Sequence, residues 1–158
     1  MAAPSADVSL VLDFLNTLDV EDDIDVLRSA ESWHGWARER GLRAGTVTAA
    51  RQVREALRAA VGDPEARAAE AGAPVEARLT GGTPALVAAD AVGAILAAAA
   101  RLAVRGEWER LKICPADDCR WAFFDQSRNR SRTWCSMQVC GNREKARAWR
   151  ERAAARAE

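Results

Sequence analysis

Four cysteines carry the most specific chemistry in this sequence. They are the only ones in 158 residues: Cys114, Cys119, Cys135 and Cys140. They form two C-x4-C pairs with fifteen residues between them. Zn²⁺ takes four tetrahedral ligands, and thiolates suit it at ~2.3 Å. Short spacing within each pair lets two loops supply two ligands apiece without strain. Four thiolates leave no open position for water or substrate, so the zinc read here is structural. The same donors would serve an iron–sulfur cluster or two disulfides. The chain shows no secretory leader and no apolar run long enough to span a membrane, which favours a reducing cytoplasmic setting and metal over disulfide.

The second chemical feature is charge. Lys+Arg is 23 and Asp+Glu is 23, so the formal net charge is zero. The two parts of the chain differ. Residues 1–106 hold 11 Arg and 15 acids, and residues 107–158 hold 12 Lys+Arg and 8 acids. An acidic part of −4 is therefore joined to a basic part of +4. Residues 120–152 hold nine basic side chains against three acids. Within them, Arg128, Arg130 and Arg132 alternate with small polar residues, as strand neighbours that share a face would. Arg143, Arg147 and Arg150 fall at i, i+4, i+7, one stripe of a helix. Arginine among short polar side chains is what phosphate contact needs. Two other readings compete. Arg-rich helices are common solvated faces in an Ala- and Arg-heavy chain, and the basic part could neutralise the acidic one.

The elements that must position these residues follow from periodicity. Val8–Leu18 reads as a helix with Val11, Phe14, Leu15 and Leu18 inward. Of its polar residues, either Asp13 and Thr17 face solvent while Asn16 bonds backbone, or Asn16 is a ligand-binding residue that orients a small molecule in a pocket between helices. Glu21–Asp25 is an acidic loop. Val26–Arg40 is a second helix with Trp33 and Trp36 on one side. A third helix, capped by Thr46 or Thr48, ends at Val61. Residues 62–82, rich in Gly and Pro, read as a loop or hinge. Thr83-Pro84 reads as N-cap and first position of a fourth helix ending before Gly106. Beyond it, Leu111–Ile113 and Trp121–Asp125 alternate as strands. Ser127–Trp134 reads as a third strand, and a helix starts at Cys140, with Ala146, Trp149 and Ala153 packed on the zinc module.

The expected fold is therefore mainly α. A helical domain, 1–106, precedes a small treble-clef-like four-cysteine zinc module, 107–158, built of a β-hairpin and a helix. A segment this poor in large aliphatic residues needs the metal to fold. No phosphate loop, nucleophile elbow or carboxylate motif is present, and His34 stands without an acid–base partner, so an enzyme is not expected.

Leu111–Cys119, Trp121–Cys135 and Ser136–Arg143 with Lys145 resemble the CGNR zinc finger, whose signature is Cys140-Gly141-Asn142-Arg143. Leu12–Asp19 and Arg54-Glu-Ala-Leu resemble the ABATE domain. The resemblance implies a bacterial, stress-induced transcription regulator. The expected partner is DNA, through the six arginines named above, with the helical domain as sensor of a small molecule or as homodimerisation unit. The alternatives are a protein-interaction adaptor with a purely structural zinc, and a small-molecule-binding helical domain.

Overall fold

The computed structural model describes residues 4–156. Four helices form the larger part: α1 (Ala6–Leu15), α2 (Ala30–Glu39), α3 (Val47–Ala60) and α4 (Ala91–Val104). Each begins at a side chain that satisfies a free backbone N–H. Ser5, Ser29, Thr46 and Asp90 accept from Val8, Ser32, Ala49 and Gly93 respectively. Val8, Val11, Phe14 and Leu15 of α1 pack against Val92, Ile95, Ala98 and Leu102 of α4. The alanines of α4 permit that close approach. Trp33 and Trp36 stack at 5.1 Å, and Phe14 lies 5.9 Å from each ring.

Three short antiparallel hairpins punctuate the helices. They are β1 (Leu18–Asp19) with β2 (Ile24–Asp25), β3 (Val75–Thr80) with β4 (Thr83–Ala88), and β5 (Leu111–Ile113) with β6 (Ala122–Phe124). The last helix, α5 (Asn142–Ala155), follows one wide turn over Met137–Gly141.

Several expectations are corrected. The first helix ends at Leu15, because Asn16 caps it, and Thr17 is buried rather than facing solvent. The acidic loop contains β2. The second helix is split: Asp25 caps a single turn over Val26–Arg28, and Ser29, extended, starts α2 afresh. Thr83-Pro84 opens no helix. Gly81 and Gly82 both take positive φ (57° and 80°), the two-residue turn that a right-twisted hairpin needs. That turn makes Thr83 and Pro84 the start of β4, and α4 begins seven residues later at Asp90. Ser127–Trp134 forms no strand. It has no neighbour to pair with, and Arg130 takes φ 52°.

The two parts share their packing. One face of the β5–β6 hairpin, Leu111, Ile113 and Ala122, belongs to the helical core. The other carries Phe123 into a second, smaller core with Cys114, Ala116, Cys119 and Cys140. α5 lies outside both and buries no residue.

Candidate metal centre and basic surface

The two cysteine pairs come from two different local devices. Cys114 and Cys119 sit at the tip of the β5–β6 hairpin. There Cys114 N–H donates to Trp121 O at 2.9 Å and Cys119 N–H to Ala116 O at 2.9 Å. Arg120 takes φ 51° to turn the chain back into β6. Cys135 and Cys140 flank the wide turn that enters α5. Ser136 Oγ accepts from Val139 N–H, and Gly141 N–H reaches Ser136 O. A Cβ on Gly141 would lie 2.5 Å from Met137 Sδ and 3.1 Å from Trp134 Cδ1, so a larger residue here would have to displace the Met137 side chain.

The four sulfurs converge. All lie within 4.8 Å of one another, and Cys135 Sγ is 3.5 Å from both Cys119 and Cys140 Sγ. Tetrahedral zinc with ~2.3 Å bonds sets its sulfurs about 3.8 Å apart, which this spacing brackets. No disulfide links them, and three of the four are buried. Burial pushes the Cys119 thiol up to about 12, and pushes Cys135 higher still. Cys114 is opposed by the same burial, but N–H groups of Cys135 and Ala116 aimed at its sulfur outweigh it and lower its pKa. Four sulfurs this close, two of them held protonated by burial, are stabilised as thiolates by one shared cation. They fit a single structural zinc, which would be held by Cys114, Cys119, Cys135 and Cys140.

The signature residues serve this centre. The Asn142 amide donates to Gln138 O at 3.1 Å, bracing the turn. Arg143 is turned inward. It reaches Glu21 Oε1 at 3.1 Å, Asp118 Oδ2 at 3.3 Å and Cys140 Sγ at 3.6 Å. Glu21 first, then the thiol and Asp118, raise its pKa.

A model of the CGNR zinc finger matches residues 110–153. A model of the ABATE family, described as "Putative stress-induced transcription regulator", matches residues 9–119. The chain belongs to the ABATE family. Its zinc centre is a CGNR finger. The two matches overlap at 110–119, the strand and cysteine loop that the two cores share. No curated protein matches the chain.

The six arginines expected to share one phosphate-binding surface are divided. Arg130 pairs with Glu109 at 2.6 Å. Arg132 donates to Trp134 O and Cys135 O and covers the Phe123 ring at 4.9 Å. With Arg143, these three hold the finger together. Arg147 pairs with Glu144 of its own helix at 2.7 Å and stays exposed. Arg128 and Arg150 are exposed and unpaired among the described residues. Trp134 packs against the thiol cluster, and Trp121 is partly exposed. Trp149 does not pack on the module: it is 66% exposed.

Asn16 bonds backbone, as one of its two sequence readings expects, rather than lining a ligand pocket. Its Nδ2 donates to Ala122 O at 3.0 Å and its Oδ1 accepts from Ala122 N–H at 2.8 Å. The amide is a clamp between α1 and the finger, bonding the backbone of Ala122 through both of its ends.

Two further polar centres escaped the sequence reading. Lys112 Nζ gathers the arginine loop by donating to Asp125 Oδ2 at 2.7 Å, Arg130 O at 2.6 Å and Arg132 O at 3.1 Å. Asp125, fully buried, also accepts from the N–H of Ser127 and of Arg132, and these donors hold its carboxyl far below the usual range despite burial. The available signal was compositional: Lys112 is one of two lysines among 23 basic residues, and Asp125 is the lone acid in residues 120–132. The other centre joins the two parts. Arg58 and Asp63, both 0% exposed, pair at 2.6 Å. Arg120 of the finger donates to both Asp63 oxygens, and Arg58 donates to Leu15 O and Arg120 O.

Proposed function

We propose that this protein is a zinc-dependent transcription regulator that contacts DNA through α5 and the neighbouring Arg128. In this reading residues 107–158 form the contacting unit, residues 1–106 the sensing or dimerisation unit, and the chain catalyses no reaction. The observation that carries the reading is the state of α5. It is a 14-residue helix with no buried residue, and Lys145, Arg147, Trp149, Arg150 and Arg152 are all exposed. A helix of that length is about 21 Å long, and the major groove admits a helix. The finger anchors it at the zinc, while Asp63 and Glu21, acids of the helical part that face the finger, are already engaged by Arg58, Arg120 and Arg143. The ABATE description as a transcription regulator supports the same reading.

The test is fluorescence anisotropy of labelled duplex DNA with the zinc-loaded chain across a salt series. We expect Arg147→Ala, Trp149→Ala and Arg150→Ala, combined, to weaken binding at least about tenfold and to flatten the salt slope. The unfolding free energy of that variant should stay within about 0.5 kcal/mol of wild type, since the three side chains are exposed and the Arg147–Glu144 pair lies on the helix surface. Failure of the wild-type protein to bind any duplex at low salt overturns the proposal.

A further inference from the structure

The β3–β4 hairpin rests the base of one face on α4, where Ala88 meets Gly93, and is exposed toward its turn and along one edge. Pairing of Val75 with Ala88, Ala77 with Leu86 and Leu79 with Pro84 places six apolar side chains on a single face. Leu79 is 74% exposed and Leu86 41%. A two-stranded hairpin is marginal in water, and three or more strands with an apolar face are what stabilise one.

The two edges differ. Thr80 and Thr83 flank a two-residue turn, so they exchange backbone hydrogen bonds with each other, and the pattern alternates from there. Thr80, Arg78 and Glu76 therefore bond across to β4, while the N–H and C=O of Leu79, Ala77 and Val75 point outward from β3. Among the described residues these outward groups have no backbone partner. On β4 the residue opposite Leu79 is Pro84, which has no N–H to offer. The β4 edge is thus blunted, and the β3 edge is open.

We propose that the open edge of β3 pairs, antiparallel, with β3 of a second copy of this chain about a two-fold axis at Ala77. Charge order is the reason for a second copy rather than another strand. Glu76 and Arg78 flank Ala77 on the polar face. An antiparallel two-fold at Ala77 places Glu76 opposite Arg78 of the second copy, twice, and like charges directly opposite would be unfavourable. The same register sets Val75 opposite Leu79 on the apolar face. Ala77 meets its own copy as a hydrogen-bonded pair, so the outward N–H and C=O groups at all three positions are satisfied. A slip of the register by one residue would turn the apolar side chains to the polar face, so the pairing defines itself. The product is a four-stranded sheet with one continuous apolar face and reciprocal ion pairs on the other. The proposal does not depend on the DNA-binding reading, because none of its residues lies in the finger.

Sedimentation velocity of the zinc-loaded full-length protein across a micromolar concentration series tests it. The wild type should dimerise. Ala77→Pro removes the central donor at a position where, as Pro84 shows, the hairpin tolerates proline, and should leave monomer. Glu76→Lys should weaken the dimer at least about tenfold, because it sets Lys against Arg78. Glu76→Arg combined with Arg78→Glu should restore it. Far-UV circular dichroism confirms that each variant is folded. A wild type that stays monomeric, or a dimer indifferent to both Ala77→Pro and Glu76→Lys, overturns the proposal.

Discussion

The arginines of the buried joint and those of α5 have the same chemistry and opposite fates. Arg58 is fully buried, and its guanidinium is divided between Asp63, Leu15 O and Arg120 O. Arg54, nearly as buried, makes a two-pronged pair with Asp25 and a bond to Thr17. Arg150 and Arg128 touch no partner among the described residues. Charge counts therefore do not say where a surface is. The acidic part of the chain does neutralise part of the basic one, through Asp63 with Arg120 and Glu21 with Arg143, and what is left over is Arg128 and the part of α5 beyond Arg143. Neutralisation by the acidic part accounts for Arg120 and Arg143, and it leaves Arg128 and Arg150 exposed.

The same contrast separates what holds each region. The helical part rests on apolar burial with arginine pairs at its margin. The finger rests on four sulfurs, Lys112, Asp125 and Arg132. Zinc removal is the strongest way to break the comparison, since structural zinc contributes on the order of 10–16 kcal/mol in finger peptides. We expect chelation to release hydrogen exchange protection first over residues 111–143, with α1 and α4 exchanging last. Equal protection in metal-free protein would refute a zinc-built finger.

Next in size is the joint. Asp63→Asn leaves Arg58 and Arg120 facing each other without a countercharge and should cost about 3–5 kcal/mol in urea unfolding. It should also loosen the finger from the helices. A cost below about 1 kcal/mol, the range of an exposed pair, would mean that the joint behaves as a surface bridge.

The smallest effect concerns acid. Burial pushes the Asp25 and Asp63 carboxyls upward, but Arg54 on one, and Arg120 with Arg58 on the other, outweigh it and hold both below the ordinary 3.8. Near pH 4 the unfolded chain therefore binds more protons than the folded one. Stability from these pairs is present at neutral pH and is lost as pH falls through the folded values, by linkage. Asp25→Asn should show a shallower decline of the urea midpoint between about pH 5 and pH 3 than wild type. The finger should fail at higher pH than the helices, because protons compete with zinc for thiolate. Parallel declines in wild type and Asp25→Asn would remove Asp25 from this account.

Legibility followed the range of the interactions. The cap Thr46, the stripes of α1, α3 and α4, and the alternation at Leu111–Ile113 are all local. Most were readable, and the failures lay where two local signals shared residues. Thr83-Pro84 suits a helix start and equally a strand after a glycine turn, and only the pairing with Leu79 and Thr80 decides between them. Alternating Arg128–Arg132 looks like a strand, but strand identity needs a neighbour, and Lys112 takes those carbonyls instead.

The sequence by itself determined the metal centre. Each C-x4-C pair is a local loop, so its spacing along the chain is nearly its geometry in space, and only the meeting of the two loops was left to folding. Thiol chemistry and the Gly141 turn belong to the residues wherever they sit. Tertiary structure decided the rest of the site, namely which charged and polar groups are free. Arg120 finds Asp63 57 positions away, Asn16 finds Ala122 106 away, and Arg143 finds Glu21 122 away. A side chain's partner at such distance is set by how helices pack, and no spacing in the chain records it.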